Sequence, residues 1–241
     1  MAKNDNIQDL LHDVADAIRE KKGTTDKINP QDFSDEIRGI ESGGGTSVAE
    51  GDVTMRGTGI RAITSVTIPD GEFEIGQSAF AGMANLTSIN IPSSIVRLQP
   101  YSFQACYSLT DILLPNGVTS IGAYAFQNAS KLTSVNIPSS LVDFGGGYTF
   151  INCTSLSSAM CIPATVVNIP AATFNNCPKI PVFDFSSHTL IPTLAHTNAF
   201  ERTNGTIVVP DSLYDQWKAA TNWSTYASRI VKASEFVEPT T

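Results

Sequence analysis

Charge is scarce over most of this chain. Between residues 53 and 209 there are seven acids and six bases, which leaves the surface to Ser, Thr, Asn and Gly. No stripe of Lys and Arg runs along any segment, which argues against a nucleic-acid partner. No apolar run approaches 18 residues, so no membrane span is expected. The N-terminus lacks the basic start and apolar stretch of a secretory signal, and the segment from Met1 reads as a natural start. Histidine is rare, with only His12, His188 and His196. No cysteine or carboxylate stands at catalytic spacing from them, and G-x-S-x-G is absent. The four cysteines lack zinc-site spacing. Gly145-Gly146-Gly147 is not followed by the Lys-Ser/Thr of a phosphate loop. These absences point away from an enzyme and from any cofactor or metal.

What the chain has is punctuation. Ile68-Pro69, Ile91-Pro92, Leu114-Pro115, Ile137-Pro138, Ile162-Pro163 and Val209-Pro210 are separated by 23, 23, 23, 25 and 47 residues, the last step being two repeats with Phe185-Ser186 in the middle slot. A fixed period of this length marks a solenoid. Phe80, Phe103, Phe126, Phe150, Phe174 and Phe200 recur in phase. So do the alternating pairs Val66/Ile68, Ile89/Ile91, Ile112/Leu114, Val135/Ile137, Met160/Ile162, Phe183/Phe185 and Ile207/Val209. Alternation places each pair on one face of a strand, so one continuous parallel ladder of these pairs, side chains inward, is expected. The proline fits at the strand end, where no ladder donor is required. A second apolar step, as in Val118 to Ile121 and Val166 to Ile169, predicts a strand or turn on the opposite wall. Segments such as Tyr124-Ala125-Phe126 predict a short helical turn with the Phe inside.

This unit resembles the BspA-type leucine-rich repeat, and Leu109 through Ala129, "LTDILLPNGVTSIGAYAFQNA", is its clearest copy. The resemblance covers about residues 53 to 210 and implies a curved right-handed solenoid used for binding, without catalysis. Many proteins of this type are surface adhesins. The fourth and later repeats drift, with insertions at Gly145-Gly146-Gly147 and Ser157-Ser158-Ala159.

Four segments flank or join the repeats. Residues 1 to 41 read as a helical hairpin, with Ile7, Leu10, Leu11, Val14 and Ile18 as one apolar stripe and Phe33, Ile37 and Ile40 as another. A hairpin of this size cannot bury a core alone, so it is expected to self-associate or dock on a larger assembly. Leu10 through Ile37 resembles an N-terminal module of tailed-phage structural proteins. That resemblance implies attachment to virion proteins, as a fibre, tail or head-decoration protein located on the virion. The alternative is a bacterial cell-surface adhesin. Residues 42 to 52 are a Gly-rich linker. Residues 211 to 236, with both tryptophans, read as a helical cap for the open end of the solenoid. Residues 237 to 241 read as a disordered tail. The fold class expected is therefore an α+β repeat: a leucine-rich-repeat solenoid between an N-terminal helical hairpin and a C-terminal helical cap.

Cys106, Cys153 and Cys177 all lie three residues after the repeat Phe and read as small buried residues, whereas Cys161 should point outward. The outward strand face is the best candidate for binding a host-surface glycan or protein. Its columns run Ser65, Ser88, Asp111, Ser134, Ala159, Val182, Thr206 and Thr67, Asn90, Leu113, Asn136, Cys161, Asp184, Val208. Asn90, Asp111, Leu113, Asn136 and Asp184 are the residues singled out. Asp111 and Asp184 stand three rungs apart, ~14 Å, too far for a pair of glycosidase carboxylates.

Overall fold

The computed structural model describes residues 63–68 and 71–237. The anchor residues Ile7, Leu10, Leu11, Val14, Ile18, Phe33 and Ile37 and the Gly-rich linker lie outside them. The described chain winds through about seven turns of a parallel β-solenoid. One wall stacks β1 (Ser65–Thr67), β3 (Ser88–Asn90), β5 (Asp111–Ile112), β7 (Ser134–Val135), β8 (Met160–Cys161), β10 (Val182–Asp184) and β12 (Thr206–Val209). The other carries β2 (Glu74–Ile75), β4 (Arg97–Leu98), β6 (Ser120–Ile121), β9 (Asn168–Ile169) and β11 (Thr193–Leu194). Register follows the sequence period: Ser65 pairs Ser88, Asp111 pairs Ser134, Glu74 pairs Arg97, and Arg97 pairs Ser120.

The first wall is not one unbroken ladder. It divides into β1-β3, β5-β7 and a four-stranded sheet of β8, β10, β12 and a C-terminal strand β13 (Ile230–Lys232), in the order β8-β10-β12-β13. The strands are two to four residues long and each ends at or near a proline or its equivalent, so every rung makes few main-chain bonds. Between β7 and β8 the repeat lengthens from 23 to 25 residues, yet the N–H groups of Ser157 and Ser158 both donate to the carbonyl of Thr133, as those of Thr87 and Ser88 do to Thr64 in a regular coil. Side chains add bonds between coils at paired rungs and breaks alike. Thr87, Thr110, Thr133 and Ser157 hydroxyls donate to the carbonyls of Thr64, Thr87, Thr110 and Thr133 in the preceding coil. This gives the Leu-Thr of the repeat its physical role. The inward pairs are buried in the middle and C-terminal coils, but Ile68, Ile89 and Ile137 are half-buried.

The Ala-Phe segments are chains of tight turns, not helical turns. Residues two before the Phe (Ser78, Tyr101, Tyr124, Tyr148, Ala172) and two after it (Ala105, Asn128, Asn152, Asn176, Arg202) take positive φ between 52° and 63°. Left-handed residues cannot continue an α-helix. Instead the turns stack. The N–H groups of Phe80, Phe103, Phe126, Phe150 and Phe174 each donate to a carbonyl of the next coil at 2.8 Å. Their rings stack face to face, 5.2 to 5.7 Å between centroids. This column is the spine of the core.

Residues 211 to 236 differ from the expected helical cap. They contain one α-helix, α1 (Tyr214–Ala219), three 3-10 segments (Asp211–Leu213, Trp223–Arg229, Ala233–Glu235), and β13 (Ile230–Lys232), which pairs in parallel with β12 as an eighth rung. Helix is a minor component, so the described region is a β-solenoid and α+β overstates its helix. Trp223 packs on Phe200 and Phe185, and Trp217 on Phe185, so both indoles are buried. The Phe200 N–H, last in its column, donates to the Tyr226 hydroxyl, which in turn donates to the carbonyl of Thr197.

Candidate ligand-binding site

The outward strand face is open only in part. Asn90 and Asp111 are exposed and Leu113 is 75% exposed, on the adjacent rungs of β3 and β5. Asp111 Oδ2 accepts from the hydroxyl of Thr110 at 2.8 Å. The other two candidates are used by the fold. Asn136 is half-buried: its Oδ1 accepts from the Leu114 N–H and its Nδ2 donates to the Leu114 carbonyl, both at 2.7 Å, in place of a main-chain rung. Asp184 accepts from the Ser186 N–H at 2.8 Å and shapes the turn after β10. Val182 and Val208, expected outward, are buried. At that end β13 adds its rung beside β12, and Arg229 reaches across to the carbonyls of Thr203 and Gly205. The structure therefore gathers Asn90, Asp111 and Leu113 and sets Asn136 and Asp184 apart from them.

The sequence reading overlooked a second surface. Tyr101, Tyr124 and Tyr148 stack on the outside of the Phe turns, with centroids 5.0 and 4.8 Å apart and rings within 9° of parallel. Burial, then the neighbouring phenols of Tyr148 and Tyr101, push the Tyr124 hydroxyl above its ordinary pKa. All three occupy left-handed backbone, with φ of 62°, 59° and 58°. In the other left-handed slot of the turn stand Asn128, Asn152 and Asn176, whose amides join from coil to coil at 2.8 and 2.9 Å. Asn is the expected choice for such backbone; Tyr is not. Left-handed backbone costs any residue with a Cβ roughly 1–2 kcal/mol, and Ser78 and Ala172 take it in the same slot without an aromatic ring. The signal was present in the sequence as a tyrosine two residues before Phe103, Phe126 and Phe150.

The remaining groups are structural. The thiols of Cys106, Cys153 and Cys177 donate to the carbonyls of Phe80, Phe126 and Phe150 in the preceding coil. Burial pushes Cys106 up to about 12 and raises Cys153 as well. The four cysteines form no disulfide, and Cys161 is exposed as expected. His188 is buried, with its two ring nitrogens against the carbonyls of Phe185 and Val166. A cleft of about 470 Å³ lies beside the C-terminal segment, lined by residues including His196, Glu201, Arg202 and Arg229. Among the described residues no three metal-ligating side chains cluster, and no helix is long and apolar enough to cross a membrane.

A family model described as the BspA-type leucine-rich repeat region, in six copies, matches residues 58–181. The chain belongs to the BspA-type leucine-rich-repeat family. A leucine-rich repeat protein from Bacteroides ovatus is 27% identical, with a TM-score of 0.53 over 64% of this chain and 45% of that one. The pneumococcal vaccine antigen PcpA shares the fold at 15% identity, with a TM-score of 0.54 over 71% of this chain and 40% of its own. A T. pallidum leucine-rich repeat protein is 23% identical, with a TM-score of 0.48 over 65% of this chain and 82% of its own. This BspA-type chain thus spans less than half the length of the B. ovatus and PcpA chains. A search of curated protein sequences finds no match.

Proposed function

We propose that this BspA-type chain is a non-enzymatic recognition protein, a repeat solenoid presented at a surface that holds its ligand on the strand face around Asn90, Asp111 and Leu113. The observation that carries this reading is Leu113, 75% exposed on an otherwise polar face. Equivalent positions on other rungs hold Thr67, Asn90 and Asn136, so folding does not require an apolar residue there. A lone exposed leucine flanked by a carboxylate and an amide suits contact with a host-surface glycan or protein. The segment 211 to 236 acts as the cap of the open coil, the role that Trp217, Trp223 and Tyr226 support by their burial on Phe185 and Phe200.

The bacterial cell surface is the favoured setting, in keeping with the adhesins of this family. A second reading rests on residues 10 to 37, which resemble a tailed-phage module. In that reading residues 1 to 41 attach the chain to virion structural proteins, and associate copies of it, through Ile7, Leu10, Leu11, Val14, Ile18, Phe33 and Ile37. Immunogold labelling of producing cells and of particles purified from them separates the two: label on the envelope supports the adhesin, and label on particles the virion protein. Recognition is tested with the full chain in a cell-binding assay. Leu113→Lys is expected to weaken binding at least tenfold with an unchanged thermal transition, and undiminished binding refutes the assignment of this face.

A further inference from the structure

We propose that the column Tyr101, Tyr124 and Tyr148 is a binding site for a neutral, extended polysaccharide lying along the solenoid axis. This deepens the recognition reading and rests on it, but it uses a different wall of the coil. Three tyrosines occupy left-handed backbone in succession, where Ser78 and Ala172 serve the same turn at either end. The turn therefore forms without a phenol in this slot.

The chemistry of the surroundings narrows the ligand. The turns that carry the column, residues 99–105, 122–128 and 145–152, contain no charged side chain. The charges bonded to them are the carboxylates of Glu74, which accepts from Gln99, and Asp143, which accepts from the Gly145 N–H. This disfavours an acidic glycan or a nucleic acid. The phenols present hydroxyls and ring edges at a repeat of 5.0 and 4.8 Å. One pyranose of an extended β-linked glycan rises by close to that distance. Side chains on one face of an extended peptide recur only every ~6.7 Å, out of step with the column. On the same turns Gln104 donates from Nε2 to Gln127 Oε1 at 2.6 Å. An amide has two N–H donors and a carbonyl acceptor, so this pair keeps further groups for sugar hydroxyls. The spacing of the column is held by glycine between the coils. A side chain at buried Gly122 would meet the Pro100 nitrogen at 2.4 Å, and one at buried Gly147 the Ala171 carbonyl oxygen at 2.4 Å, so glycine lets the turns approach closely enough for the phenols to stack.

The test uses the full chain with cellohexaose, chitohexaose and their monosaccharides as probes, followed by saturation-transfer NMR and calorimetry. The comparison protein carries Tyr101→Asn, Tyr124→Asn and Tyr148→Asn together, because Asn accepts left-handed backbone. At least one hexasaccharide is expected to bind tenfold or more tightly than its monosaccharide. The triple variant is expected to lose tenfold or more of that affinity while keeping a cooperative thermal transition. Failure of both hexasaccharides to bind overturns the proposal, as does binding that survives in the triple variant. A large fall in its melting temperature also overturns it, since the column is then structural. A protein ligand captured through the tyrosines, with no oligosaccharide bound, overturns the assignment to glycan. The two readings fail separately. If Leu113→Lys abolishes cell binding and no oligosaccharide binds, recognition stands and this site falls. If oligosaccharides bind through the tyrosines and no cell is bound, the strand-face reading falls.

Discussion

Phe126→Ala should be among the most damaging single truncations in this protein. The Phe126 side chain is fully buried and stacks on two neighbours, Phe103 at 5.3 Å and Phe150 at 5.2 Å. Truncating a buried Phe costs about 3–5 kcal/mol through lost transfer energy and the cavity left behind. Both stacked contacts belong to that figure, since each is worth only ~0.5–1.5 kcal/mol beyond area burial. The backbone bond from Phe126 N–H to Thr149 remains, so the coil keeps its path and the cavity cannot close by re-threading. Phe80 provides the internal control. It is half-buried and stacks on one neighbour, so Phe80→Ala should lose roughly half as much, about 1.5–2.5 kcal/mol. Urea unfolding followed by far-UV circular dichroism measures both. Tryptophan fluorescence adds a regional probe, because Trp217 and Trp223 both lie at the C-terminal end. In a linear array a weakened middle rung uncouples the two halves, so fluorescence should lag the dichroism signal in Phe126→Ala and coincide with it in the parent. A loss below about 1 kcal/mol, or a Phe80→Ala variant less stable than Phe126→Ala, would refute the stacked-spine argument.

Other perturbations test other parts of the coil. The Ser102 hydroxyl is buried without a hydrogen-bond partner, in a slot that Ala79, Ala125 and Ala199 also fill, so Ser102→Ala should raise stability by ~1 kcal/mol in the same urea assay. Gly122→Ala forces a methyl to 2.4 Å from the Pro100 nitrogen and should destabilise by about 1–3 kcal/mol or more, visible as a lower melting temperature. His188 has its pKa lowered from 6.5, chiefly by burial, against the opposing pull of the Val166 and Phe185 carbonyls and Asp184. The unfolded chain therefore takes up this proton first as pH falls below about 6.5. Stability should decline there until the folded pKa is passed, and His188→Gln should flatten that part of the pH profile measured by urea midpoint. In native protein iodoacetamide should modify Cys161 readily and Cys106, Cys153 and Cys177 only after unfolding, as mass spectrometry of the alkylated chain would show; rapid labelling of Cys106 would contradict its burial.

The solenoid was legible because its constraint is periodic. One phenylalanine says little, but six in phase with Ile-Pro steps fix which residues face inward, and Val66, Leu114, Met160 and Val209 lie where the alternation puts them. What escaped was set by contacts between coils. Asn136 looks like any outward polar residue until its amide is seen bridging Leu114. Val182 and Val208 belong to the outward columns by counting but are buried; at that end the chain returns as β13 beside β12, a strand of three residues too short to announce itself. The turn around each Phe carries an Ala-rich pattern that suits a helix. Positive φ at Tyr124 and Asn128 decides otherwise, because there the backbone donates to the next coil instead of its own. The candidate site divides the same way. Asn90, Asp111 and Leu113 were found by facing, whereas the tyrosine column becomes visible only when successive turns are laid on one another.

The Phe turns also give the coil a chemical direction. In all three of their hydrogen-bond columns, as from Ser78 to Pro100, Phe80 to Ser102 and Gly82 to Gln104, the N–H belongs to one coil and the carbonyl to the next. The bond dipoles add along this column, as they do in a helix. The walls answer in the opposite sense: the N–H groups of Thr87, Val96, Thr119 and Gly122 donate back to the carbonyls of Thr64, Phe73, Val96 and Leu98 in the preceding coil. A column pointing one way thus stands beside columns pointing the other, and their dipoles offset one another along the axis. The coil is polar column by column, and it can lengthen by further turns without accumulating charge at its ends.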